Sequence, residues 1–126
     1  MTNGRTGFLI AVVDDDQRVL ESLESLLESE GYSVRLFTSA ATFLSSGILE
    51  QIDCLISDID LPAMNGFQLS QTVTHTRPSL LIILMTGHPE ILSELQSSHA
   101  RIEFRLFRKP FDSQDLIAAI RQGLQR

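Results

Sequence analysis

The 126-residue chain, 43% hydrophobic and 21% charged, suits a single soluble globular domain with one core. A net charge of −6 excludes broad nucleic-acid binding, which needs a cationic face to displace phosphate counterions. Apolar runs such as Leu80 to Met85 are too short for a membrane span, the lone Cys54 excludes an internal disulfide, and the first residues carry no secretory signal, so the default location is the cytoplasm.

In chain order, short continuous apolar runs alternate with segments of helical spacing. Phe8 to Val13 reads as a first strand, followed at once by Asp14, Asp15 and Asp16. Asp16 can cap a helix whose Val19, Leu20, Leu23, Leu26 and Leu27 share one face, opposite Glu21, Glu24 and Glu28, and which Gly31 ends. Ser33 to Phe37 is a second strand; Thr38 or Ser39 then caps a helix that carries Phe43 and Leu44 and stops near Gly47. Ile52 to Ser57 is a third strand, with Cys54 a small buried hydrophobe, and it delivers Asp58. Asn65 caps a third helix carrying Phe67, Leu69 and Val73.

Leu80 to Met85 is a fourth strand, followed by Thr86, with a fourth helix expected between Pro89 and Ser98. Ile102 to Arg108 is a fifth strand, followed by Lys109. Asp112 or Ser113 caps a fifth helix that buries Leu116, Ile117, Ile120 and Leu124. Strands one, three and four are the most apolar and should be central. Five strands alternating with five helices give a doubly wound α/β fold, a parallel sheet covered on both faces, over residues 1–126.

Ligands of such sheets bind at the carboxyl edge, where the strand order reverses. The strand ends bring Asp14, Asp15, Asp16, Asp58, Thr86 and Lys109 to that edge. Singly, Lys109 could be a solvated lysine, Thr86 an ordinary strand residue, and Asp16 a cap; four strand ends with complementary chemistry argue for a site. Carboxylate oxygens, one hydroxyl and one ammonium suit a divalent cation beside a phosphoryl group, and Mg²⁺ is the natural partner of an aspartate that accepts phosphate. No glycine-rich phosphate loop is present.

The segments "VVDDD" (Val12 to Asp16), "SDIDLPAMNGFQL" (Ser57 to Leu69), "MTGH" (Met85 to His88) and "RKPF" (Arg108 to Phe111) together resemble the receiver domain of two-component response regulators, in style the nitrogen-fixation regulators. The resemblance covers essentially the whole chain. It implies a flavodoxin-like sheet of order 2-1-3-4-5 in which Asp58 takes a phosphoryl group from a phosphohistidine of a sensor histidine kinase. It implies that Asp15, Asp58 and the backbone carbonyl of Asp60 hold Mg²⁺, with Asp14 acting mainly through a metal-bound water. Lys109 and Thr86 would contact phosphoryl oxygens, a small residue at Gly87 would leave the group accessible, and the Lys109-Pro110 peptide would be cis. The domain would catalyse only its own phosphorylation and dephosphorylation. Phosphorylation-dependent dimerisation through the fourth helix, fifth strand and fifth helix is a family expectation, as is a DNA-binding output domain, which this chain does not contain.

Two features depart from the family pattern. Leu106 stands at the usual aromatic position of the fifth strand, with Phe104 and Phe107 nearby, and "SHARIEF" replaces the usual small pair before it. Activation is therefore expected to proceed through the fourth helix and the strand "RIEFRLFRK" instead of an aromatic rotamer; an unchanged backbone from His88 to Phe107 in superposed free and beryllofluoride-bound structures would exclude this. Asp60 and His88 border the expected path of the attacking water and are candidates for setting the phosphoryl lifetime. Two rival functions are a receiver-like binding module that is not phosphorylated and, from the "DID" motif, a haloacid dehalogenase-like phosphatase. The latter's motif normally follows the first strand, not the third.

Overall fold

The sheet is built around three short apolar runs able to bury both faces, flanked by two strands that mix apolar with polar residues. In the computed structural model, which describes residues 6–90 and 103–125, the strands are β1 (Leu9–Val13), β2 (Ser33–Phe37), β3 (Cys54–Asp58), β4 (Leu81–Thr86) and β5 (Arg105–Arg108). All neighbours pair in parallel, in the order β2-β1-β3-β4-β5. β3 is buried at every position and β1 and β4 at all but their first, whereas β2 and β5 are largely exposed edges. The expectation that strands one, three and four are central therefore holds.

Among the described residues four α-helices cover the sheet: α1 (Gln17–Ser29), α2 (Ala40–Ser45), α3 (Gly66–Thr76) and α4 (Ser113–Leu124). The last corresponds to the fifth helix of the sequence reading; the helix expected between Pro89 and Ser98 falls mostly outside the described residues, which hold only a turn at Pro89 and Glu90. Two corrections concern boundaries. Asp58 and Thr86 are the last residues of their strands, not the first beyond them, and β5 begins at Arg105, with Glu103 and Phe104 outside any regular element.

Capping starts the helices where the sequence suggests. The side chains of Asp16, Ser39, Asn65 and Asp112 each accept a hydrogen bond from a backbone N–H in the first turn, which satisfies groups with no intrahelical partner. The apolar stripe of α1 buries Leu20, Leu23 and Leu27, each contributing about 1.5–3 kcal/mol by leaving water. Together with Leu116, Ile117 and Ile120 of α4 they cover one face of the sheet, and Phe43, Phe67, Leu69 and Val73 of α2 and α3 cover the other. Arg77, at the end of α3, secures the approach to β3 by donating from Nη1 to the carbonyls of Leu49 (2.7 Å) and Ile52 (2.6 Å).

One constraint acts directly on the end of β3. The chain leaves Asp58, turns through Ala63 in the left-handed region (φ 64), and returns so closely that a Cβ on Gly66 would lie 2.2 Å from the carbonyl oxygen of Asp58 and 2.9 Å from the Cα of Ile59. Those are backbone atoms, so no side-chain rotation can make room. Gly66→Ala is expected to cost about 2–3 kcal/mol through overpacking, read as a lower urea midpoint; an unchanged midpoint would contradict the close approach.

Candidate phosphoryl and metal site

The register of the sheet builds the site. Val13 is level with Ser57, so Asp14 follows β1 at the height of Asp58 on β3. These strands are the point where the chain switches sides, since β2 lies on one flank of β1 and β3 on the other. The Asp14 N–H continues the ladder to Phe37 O (3.0 Å), and the Lys109 N–H does the same on the other side, to Thr86 O (2.8 Å). Backbone pairing thus fixes where Asp14 and Lys109 begin.

The side chains converge as the sequence suggests. Carboxylate oxygens of Asp14, Asp15 and Asp58 lie within 4.8 Å of one another, with Asp14 0% and Asp58 5% exposed and Asp15 exposed. Lys109 Nζ reaches Asp14 Oδ2 at 2.9 Å and Asp58 Oδ2 at 3.3 Å. Asp14 Oδ1 accepts from the Asp16 N–H (2.9 Å) and Asp58 Oδ1 from the Asp60 N–H (3.1 Å). Asp16 turns away to cap α1. Three hard carboxylates at this separation, two of them buried, fit a small divalent cation, so the donor set agrees with the expected Mg²⁺.

The other singled-out residues surround this group. The Thr86 hydroxyl, fully buried, donates to Asp60 Oδ2 (3.1 Å) and accepts from the His88 N–H (2.9 Å). Nothing in the sequence signals the bond between Thr86 and Asp60, since it joins the end of β4 to the loop after β3, 26 positions away. His88 is exposed, with Nδ1 3.7 Å from Glu90 Oε1. A side chain at Gly87 would meet only open space, and the Lys109-Pro110 bond is cis. On β5, Leu106 is half-buried on the α2–α3 side and Phe107 packs on the opposite side. Phe104 makes the aromatic contact, edge-on to Phe67 at 6.1 Å.

Burial and the neighbouring Asp14 charge push the Asp58 carboxyl above its ordinary range, against the Asp60 N–H and the Lys109 ammonium, which favour the anion. For Lys109 burial opposes the charge, but Asp14 and Asp58 outweigh it and hold the ammonium above the usual lysine value. The two shifts act on stability in opposite ways. The lysine contribution is fully present below the ordinary lysine range and is lost only as pH rises through the raised value. For Asp58 the folded protein retains a proton that the unfolded chain has released, so stability falls as pH rises through the raised carboxyl value. Asp58→Asn is therefore expected to raise the metal-free Tm at neutral pH by roughly 3–6 °C, about 1 kcal/mol. The gain should shrink on acidification; a Tm unchanged or lowered at neutral pH would exclude this strain.

The family model described as the response regulator receiver domain matches residues 10–121. The transcriptional regulatory protein FixJ of Azorhizobium caulinodans is 36% identical over 117 residues, covering 93% of this chain and 55% of that protein. The response regulator protein TmoT of Ectopseudomonas mendocina is 37% identical over 118 residues, covering 93% and 53%. The BeF3-activated receiver domain of DrrB, from Thermotoga maritima, superposes with a TM-score of 0.81 at 29% identity, covering 94% of this chain and 98% of that one. The chain spans about half the length of the curated relatives it matches. With the parallel five-stranded order and the match over most of its length, the chain belongs to the response regulator receiver family.

Proposed function

We propose that Asp58 is the phosphoacceptor of this receiver domain and that a sensor kinase phosphohistidine is the donor. The observation that carries this reading is the pairing of one ammonium, Lys109, with two buried carboxylates, Asp14 and Asp58, beside the exposed Asp15. In the transfer, an Asp58 oxygen forms a bond to phosphorus as the phosphorus–nitrogen bond of the phosphohistidine breaks, and the imidazole leaves with the bonding electron pair. Such transfer asks the protein mainly for positioning and charge neutralisation. The Asp60 N–H orients Asp58 through Oδ1, which leaves Oδ2, the oxygen near Lys109, to react. The Lys109 ammonium then follows the charge from the carboxylate to a phosphoryl oxygen, and the Thr86 hydroxyl is placed to meet another.

Asp15, Asp58 and the Asp60 carbonyl would hold Mg²⁺, with Asp14 acting through a bound water. When bound, the ion supplies positive charge that offsets carboxylate and phosphoryl repulsion. A groove lined by Arg18, Val19, Lys109, Pro110 and Phe111 opens beside Lys109, offering a kinase a route to the site. The name of FixJ as a transcriptional regulatory protein supports an output in transcription control through a further DNA-binding domain. Phosphorylation-dependent pairing of two copies remains part of the proposal. A phosphatase finds no support: Asp60 lies outside the three-carboxylate group and bonds Thr86.

Incubation with acetyl phosphate and Mg²⁺ is expected to add the mass of one phosphoryl group to the wild-type protein, and Asp58→Asn should abolish the gain. Absence of labelling in wild type would favour the non-phosphorylated binding module; labelling that survives Asp58→Asn would place the acceptor elsewhere.

A further inference from the structure

If Thr86 is to donate a hydrogen bond to a phosphoryl oxygen, its proton must be free, and in this structure it is committed. A threonine hydroxyl carries a single proton. That proton points to Asp60 Oδ2 at 3.1 Å, while the oxygen accepts from the His88 N–H at 2.9 Å. The hydroxyl is fully buried, so water offers it no ready alternative. Asp60 itself is exposed, and its carboxylate is not one of the three gathered beside Lys109. Only its backbone N–H addresses Asp58. Its side chain therefore has a separate task, reaching from the end of β3 to the end of β4.

We propose that Asp60 is a positioning residue acting through Thr86, a latch whose carboxylate competes with the arriving phosphoryl group for the Thr86 proton. The inference rests on the receiver reading above and deepens it by giving the side chain at position 60 a role in the resting state. The affinity of the pocket for a phosphoryl-like anion then includes the cost of releasing the bond between Thr86 and Asp60. The His88 N–H can keep its hold on the Thr86 oxygen while the proton turns from one acceptor to the other.

A general charge effect must be separated from the latch, because any anion at position 60 repels an anionic ligand. The test is a cycle of wild type, Asp60→Ala, Thr86→Val and the double variant, each titrated calorimetrically with beryllofluoride at saturating Mg²⁺. Loss of charge should tighten binding in both backgrounds. The latch requires that Asp60→Ala tighten it about fivefold more where the Thr86 hydroxyl is present, the worth of one released hydrogen bond. Asp60→Asn, neutral but still an acceptor, should bind more weakly than Asp60→Ala. In the free Asp60→Ala protein the Thr86 methyl NMR signal should move toward its beryllofluoride-bound position, a readout that needs no second variant. Equal tightening in both backgrounds, or a methyl signal that stays in place, overturns the latch alone. Failure of folded wild-type protein to bind beryllofluoride overturns the receiver reading and the latch with it.

Discussion

Gathering three carboxylates at one end of a buried sheet is electrostatically unfavourable, and much of the local architecture serves to hold them there. Like charges at this distance repel strongly wherever water is scarce. Lys109 offsets part of that repulsion by reaching two of the carboxylates, and backbone N–H groups of Asp16 and Asp60 offset another part. Among the described residues no buried side-chain nitrogen or oxygen lacks a hydrogen-bond partner. The remaining imbalance is what a bound cation would offset, and the apolar packing of both sheet faces keeps the site assembled despite it.

The two halves of the site differ in what holds them. Asp58 sits at the end of a wholly buried strand, and the chain returns past its carbonyl so closely that only a glycine fits at position 66, so the backbone of Asp58 is tightly enclosed. Thr86 ends the neighbouring strand, but its hydroxyl is held by an exposed aspartate and a loop N–H. Under the proposed reading, a fixed acceptor at Asp58 beside a releasable donor at Thr86 would let the presence of a phosphoryl group register as a local rearrangement.

The residues legible in the sequence were those whose position follows from periodicity or from the end of a run. Asp14, Asp58, Thr86 and Lys109 could be placed on one edge because each follows or completes an apolar strand, and parallel order brings such ends together. Asp16, Asn65 and the Ser39 and Asp112 alternatives were legible because capping is local chemistry. Gly66 was visible only as part of a turn, since its necessity arises from a backbone approach that no local pattern encodes. Arg77 gave no signal, because its carbonyl partners lie 28 and 25 positions earlier. The alternation in "RIEF" points to a start of β5 earlier than Arg105, yet Phe104 lies outside the strand and packs edge-on against Phe67. In each of these cases tertiary contact, not local preference, decides the outcome.

The central claim is that folding creates a cation site out of carboxylate crowding. Calorimetric titration of Mg²⁺ into wild type, Asp15→Asn and Asp58→Asn tests it most directly. The account predicts one bound ion per chain in wild type, with affinity sharply reduced in both variants. Wild-type protein that binds no Mg²⁺, or binds it equally well without the Asp15 and Asp58 charges, would contradict it.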